Sequence, residues 1–287
     1  MTSQRSDFRF FDRLRVRWAE VDMQKIVFNG HYLMYFDTAV AGYWRALALP
    51  YAETMELLQG DLYTRKATVE YEAPARYDDL LQVGMRCARI GNSSVVFEGA
   101  VFRGDDLLVR GELVYVFADP ATMVPRPVPP DLRDVMLGYE AGKPMVDVRV
   151  GTWDELGREA QRIRSAVFID EQKIPAEMEW DAADAECLHA VAYNRFGMAL
   201  ATGRLLEHVP GTAKIGRMAV LPTMRGSAIG RAVLDALMAA ARARGEREVL
   251  LHAQTSAAGF YQRAGFSTRG PEFEEAGIAH VEMVRTL

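Results

Sequence analysis

Apolar residues recur along this chain with two different periods, and the switches between them mark its elements. Across 31–47, Tyr32, Phe36, Val40, Tyr43, Trp44 and Leu47 share one stripe at helical spacing, which predicts a long helix with a buried face. Short apolar runs and alternation then take over. Residues 68–72, 81–87, 94–102 and 107–117 read as strands, with Gly104, Asp105 and Asp106 as the hairpin turn between the last two. The C-terminal part instead alternates strands with helices. Residues 216–221 read as a strand, a loop bearing Gly226 follows, and Ile229, Val233, Leu234, Leu237, Met238 and Ala241 line one face of a helix. Between the two patterns lie Pro125, Pro127, Pro129 and Pro130 and a polar stretch to Pro144. The expected fold class is therefore α+β with two domains, 1–124 and 145–287, joined over 125–144 by a stiff, extended proline-rich linker.

The strand, glycine loop and helix around 216–234 carry the first chemical signal. A helix start presents unpaired N–H groups at the positive end of its dipole, a ready site for a pyrophosphate. No Gly-Lys-Ser/Thr follows, so the loop is not of the kinase or ATPase type. Arg225-Gly226-Ser227-Ala228-Ile229-Gly230 resembles the acyl-CoA signature of the GNAT N-acetyltransferases, [Q/R]-x-x-G-x-[G/A], with Ala228 where the middle glycine is usual. Residues 164–175, 214–220, 252–254 and 258–266 resemble, in order, the acceptor-side helix, central strand, next strand and next helix of its ElaA-like branch. The resemblance implies that the amides near Met218, Ala219 and Val220 hold the pantetheine arm, and that 225–230 with Arg231 and Arg263 meet the phosphates. It also implies that Tyr261 protonates the departing thiolate. The base for the amine stays open among Glu171, Asp181, His252 and His280. The acidic residues of 170–184, Glu171 included, point to a cationic acceptor.

The N-terminal part carries a different resemblance. Asp22, the apolar step Ile26-Val27-Phe28, and Asn29-Gly30-His31-Tyr32 opening the long helix resemble the hotdog-fold acyl-CoA thioesterases of the 4-hydroxybenzoyl-CoA thioesterase group. Lys25 replaces the glycine usual in that loop. The resemblance implies an antiparallel sheet wrapped around the helix, with the site between subunits of a homodimer or homotetramer. Asp22 would attack the thioester carbonyl or deprotonate a water that does, His31 and Tyr32 would lie near the substrate, and Gly60, Asp61 and Leu62 of a neighbouring subunit would supply the oxyanion donor.

Composition narrows the functions. The 287 residues carry a net charge of −5, 49% hydrophobic and 25% charged positions, and neither half is basic, which removes a general nucleic-acid role. The two cysteines fall one in each half and the five histidines show no ligand spacing, so no metal is expected, and a cytoplasmic protein is the simple inference. No apolar run is long enough for a membrane span. Two readings follow. The chain is a bifunctional enzyme using acyl-CoA and acetyl-CoA as substrates, hydrolysing one and acetylating a small-molecule or protein amine with the other. Alternatively, it is a single acetyltransferase whose first half binds acyl-CoA or drives oligomerisation.

Overall fold

The computed structural model describes residues 4–287. The chain forms two compact units, Met1–Met145 and Val146–Leu287. The first contains β1 (Phe10–Arg15), α1 (His31–Ala46), α2 (Tyr51–Leu58), β2 (Asp61–Tyr71), β3 (Leu80–Ile90), β4 (Ser94–Arg103), β5 (Asp106–Ala118) and α3 (Pro130–Glu140). Its strands form one antiparallel sheet in the order β1-β3-β4-β5-β2. All six residues of the α1 stripe are buried. The helix can press close because two cross-strand neighbours, Gly99 and Gly111, have no side chains. A Cβ on either would stand 2.6 Å from the Phe36 ring. This is the hotdog arrangement the helix-then-strands order predicted.

Residues 125–144 are not the extended connector expected from their prolines. Pro130 opens α3, where a missing N–H costs the helix nothing. Leu132, Val135, Met136 and Tyr139 then bury one face. Arg133 donates to the carbonyls of Ile90 (2.8 Å) and Gly91 (2.6 Å). Glu140 accepts the Tyr43 hydroxyl at 2.5 Å and the Cys87 N–H at 2.9 Å. The segment thus belongs to the first unit. Its apolar residues recur at helical spacing in the sequence, a signal the prolines masked.

The second unit contains β6 (Val146–Gly151), α4 (Trp153–Arg164), a wider π-helical turn over Ser165–Glu171, α5 (Ala176–Glu179), β7 (Leu188–Asn194), β8 (Ala199–Val209), β9 (Thr212–Val220), α6 (Ile229–Ala243), β10 (Glu248–Gln254), α7 (Ala258–Arg263), β11 (Ser267–Glu275) and β12 (Ile278–Thr286). The sheet runs β11-β12-β10-β9-β8-β7-β6, antiparallel except for β9 with β10. The predicted apolar face of α6 is buried throughout. The feature that matters most is where β9 and β10 stop pairing. Their register ends at Ile215–Leu251, although β9 continues alongside β8 to Val220. A bulge marks the break, with Arg217 at φ 51°. Gly203 across the bulge leaves room for the Met218 sulfur. The strands part here and leave an opening in mid-sheet.

Candidate functional site

Asp22 lines a cavity of about 380 Å³ in the first unit, together with Ile26, Val27, Phe28, Tyr32 and Tyr71. The loop that presents it is closed by its own backbone. Asp22 N–H donates to the Ile26 carbonyl (2.9 Å) and Lys25 N–H to the Asp22 carbonyl (2.9 Å). The Asp22 carboxylate accepts the Gln24 N–H at 2.8 Å. Lys25, at φ 62°, occupies the left-handed region where glycine is at ease. Behind the loop is a group that sequence reasoning missed. Glu20 is a buried carboxylate that accepts the Arg17 N–H (2.7 Å), the Arg17 guanidinium (2.6 Å) and the Tyr35 hydroxyl (2.8 Å). Burial works against its charge, but those donors outweigh it and hold the carboxyl below its ordinary range. Its backbone carbonyl also receives the Phe28 N–H at 2.9 Å, so one residue ties both ends of the Asp22 loop.

The other first-unit residues singled out from sequence scatter. Tyr32 shares the cavity wall, and its hydroxyl accepts the Ala75 N–H at 3.1 Å. His31 sits edge-on to Phe28, its ring 6.0 Å away, and does not line the cavity. Gly60, Asp61 and Leu62 lie elsewhere. The Gly60 N–H is given to Met55 (3.2 Å) and the Leu62 N–H to the Asp61 carboxylate (2.7 Å), so two of the expected oxyanion donors are already engaged.

The second unit holds a cavity of about 410 Å³ at the parting of β9 and β10. Gly216, Arg217 and Met218 wall it on one side, His252 and Gln254 on the other, and Tyr261 reaches it from α7. Tyr261 is buried among Phe260 and Phe266, and desolvation pushes its phenol up to about 12. It therefore keeps its proton at neutral pH. Ala219 turns away into the core formed with Leu156, Ile163 and Val191. The loop after β9 behaves as its pattern suggested in one respect: the N–H groups of Gly226, Ser227, Ala228, Ile229 and Gly230 donate to no backbone carbonyl among the described residues. Ala228 stands at φ 63° immediately before the 15-residue α6. Gly230 also answers a packing demand, since a Cβ there would come within 3.1 Å of Val220.

Charge pairing changes the picture given by composition. Arg225 clasps Glu171 with two hydrogen bonds of 2.7 and 2.5 Å, which holds the Glu171 carboxyl below its ordinary range. Arg231 is paired with Asp235 four residues on, at 2.8 Å. Arg164, almost wholly buried, binds Glu179 (2.5 Å) and Asp184 (2.7 Å) and lies over the Trp180 ring at 4.6 Å. Arg204 binds Asp181 and Asp184, each at 2.7 Å, and Arg217 binds Glu179 at 3.1 Å. Three arginines thus neutralise three carboxylates beside the cavity. Within the acidic run over 170–184, Glu171, Glu179, Asp181 and Asp184 are therefore each paired with an arginine of the same unit.

Comparison with known proteins agrees with this division. The family model described as an acetyltransferase (GNAT) domain matches residues 158–287, and that of the thioesterase superfamily matches 24–110. A Bacillus subtilis protein named uncharacterized N-acetyltransferase YjcF is 34% identical over 133 residues, covering 46% of this chain and 94% of its own length. YyaT, an uncharacterized protein of the same organism, is 36% identical over 132 residues, 45% of this chain and 88% of that one. The acyl-CoA thioester hydrolase YbgC of Escherichia coli is 28% identical over 120 residues, 40% of this chain and 87% of the relative.

Proposed function

The chain belongs to the GNAT acetyltransferases through its second unit and carries a thioesterase-superfamily domain in its first, and from that premise we propose that it is a bifunctional coenzyme A enzyme. The first unit hydrolyses an acyl-CoA with Asp22 as nucleophile or base. The second transfers acetyl from acetyl-CoA to the amine of a small molecule or protein. Met218 and the strand edge it shares with Val220 hold the pantetheine arm, the free amides of 226–230 hold the diphosphate, and Tyr261 protonates the leaving sulfur. One observation carries the proposal: two separately folded units each hold a cavity, and each cavity includes the side chain that chemistry would need there, Asp22 in one and Tyr261 in the other.

In the first cavity the nucleophile attacks a thioester carbonyl and the thiolate leaves. Glu20 fixes the loop, so Asp22 starts oriented. In the second, an edge-on pantetheine replaces the strand pairing that β9 and β10 give up beyond Ile215 and Leu251. Arg225 exchanges its carboxylate partner for a phosphate. The thioesterase fold is expected to bring the protein together as a homodimer or homotetramer, and two buried free cysteines suit a reducing cytoplasm.

A second reading has support of its own. Part of the Asp22 carboxylate is spent on its own turn, through the Gln24 N–H, and a Cβ residue occupies the left-handed position at Lys25. Both suit a first unit that binds acyl-CoA, or assembles the oligomer, without hydrolysing it. Calorimetric titration with a non-hydrolysable acyl-CoA thioether is expected to find two sites per chain. Saturation at one site per chain would remove a coenzyme A role from one unit.

A further inference from the structure

His252 stands where β10 has just left β9, one residue beyond the last paired position, Leu251. It lines the second cavity together with Lys214 and Glu275. Its Nδ1 lies 3.4 Å from Lys214 Nζ and 3.3 Å from a Glu275 carboxylate oxygen, and its Nε2 lies 3.8 Å from Glu282. The ring is held edge-on by Phe273 at 4.9 Å, and Phe273 in turn stacks on His280. Glu275 is fixed by a two-residue turn. Ala276 and Gly277 both have positive φ (53° and 75°), the arrangement that closes a hairpin tightly, with Glu275 opposite Ile278. Glu282 is fixed by Arg269 at 2.5 Å. A histidine with a cation and a carboxylate on one nitrogen, and a partly exposed carboxylate near the other, has the layout of a proton relay from cavity to solvent.

We infer that His252 is the proton acceptor for the amine substrate, with Lys214 and Glu275 as positioning residues at Nδ1 and Glu282 as the carboxylate facing Nε2. The inference rests on the acetyltransferase reading and names the acceptor class: a primary aliphatic amine, which arrives as an ammonium ion and must lose a proton before it can attack. That proton goes to Nδ1 to give the imidazolium, which then releases the same proton to solvent at the cavity mouth and returns to the neutral ring. The freed lone pair forms the N–C bond to the thioester carbonyl, the C–S bond breaks, and the Tyr261 hydroxyl proton goes to sulfur to give the thiol. The nitrogen's surplus proton, lost as the amide forms, restores Tyr261. One proton per turnover reaches solvent.

Charged groups face the ring from several strands. Lys214 on β9 is half-buried, and desolvation first, then Arg204 and Arg217, push its ammonium pKa down, while Glu275 and Glu282 push it up. The lysine and Glu275 on β11 both face Nδ1, and Glu282 on β12 lies near Nε2. His280 on β12 lies beyond Phe273, and His208 on β8 acts on Glu282. Lys214 and Glu275 thus set opposite charges against the same ring nitrogen.

The test follows thiol release from acetyl-CoA with primary aliphatic amines (putrescine, tryptamine, glucosamine) and with methoxyamine, which is unprotonated at neutral pH. His252→Gln is expected to lower kcat/KM for the aliphatic amines at neutral pH by about 10²–10⁴ and to remove the acidic limb of the pH profile. Acetyl-CoA binding by calorimetry should stay unchanged, and the defect should shrink with methoxyamine. Lys214→Met should move the acidic limb to higher pH, and Glu275→Gln should move it to lower pH. A purely structural role for the cluster would not give opposite shifts. An acidic limb untouched in His252→Gln, or displaced in the same direction by the other two, overturns the inference. A wild-type chain that binds acetyl-CoA yet acetylates none of these amines overturns the acetyltransferase reading instead.

Discussion

Lys25 in the first unit has φ 62° and Ala228 in the second has φ 63°. Each stands where the family it resembles uses glycine, and each keeps the glycine conformation despite its Cβ, at a cost of about 1–2 kcal/mol. The two loops are held by different means. The Lys25 loop is closed mainly within seven residues, by backbone bonds among Asp22, Lys25 and Ile26 and by the bridge between Val21 and Val27, and its end is tied to the 75–76 segment by the Val27 N–H on the Ala75 carbonyl (2.9 Å). The Ala228 loop has turn bonds of its own, such as the Met224 N–H on the Leu221 carbonyl (2.9 Å), but leans on side-chain partners far away in sequence as well. Arg225 reaches Glu171 across 54 positions in the sequence. The cavity beside it rests on Arg164, Arg204 and Arg217, bound to Glu179, Asp181 and Asp184. A locally closed loop survives changes elsewhere in its unit, whereas one braced from afar inherits the stability of its braces.

The sharpest break in that comparison is Arg164→Met. It leaves Glu179 and Asp184 buried without their principal cation, and a loss of about 3–5 kcal/mol is expected. Chemical denaturation with separate probes in the two units should show the second unit's transition move and the first unit's stay. If both move together, the units are not independent in stability.

A pH profile comes next. Burial raises the Tyr261 phenol to about 12, and a raised acid keeps its proton longer as pH rises. Acetyl transfer should therefore hold its rate past pH ~10, where an ordinary phenol would begin to ionise. The Tyr261→Phe chain, transferring more slowly, should show no alkaline fall of its own. A wild-type decline centred near pH ~10 would mean the phenol is solvated, or that another group is the acid.

The smallest effects refine the loops themselves. Lys25→Gly and Ala228→Gly each relieve a left-handed Cβ but loosen the unfolded chain, for a net gain of about 0.5–1 kcal/mol in thermal or denaturant unfolding. Lys25→Gly should also leave thiol release intact if the loop is already in its working shape. A loss of stability at either position would show that the side chain, and not the conformation, is what the chain retains there.

How much of this was legible in the sequence follows the same line. The α1 stripe, the 104–106 turn, the α6 face and the parting strand at 214–220 depend on neighbours in sequence, and periodicity exposes them. Asp22, Tyr32 and Tyr261 stand out by motif, and each lines a cavity. The buried charge network was not visible, because Arg164, Glu179, Asp184 and Arg204 are brought together only by packing, and as letters the carboxylates look like a solvated acidic run. The contact of Lys214 with His252 is hidden for the same reason: nothing in its strand shows that His252 lies 3.4 Å away. The helix over 130–140 had the right spacing in plain view, and prolines drew attention from it.

The most direct measurement is thiol release from acyl-CoA, with and without an amine, in the wild-type, Asp22→Asn and Tyr261→Phe chains. Wild-type chains should release thiol without any amine and faster with one. Asp22→Asn should lose the amine-independent release and keep the amine-dependent part, and Tyr261→Phe should do the reverse. Undiminished amine-independent release from Asp22→Asn, or one substitution silencing both activities in a folded chain, would contradict two independent coenzyme A sites.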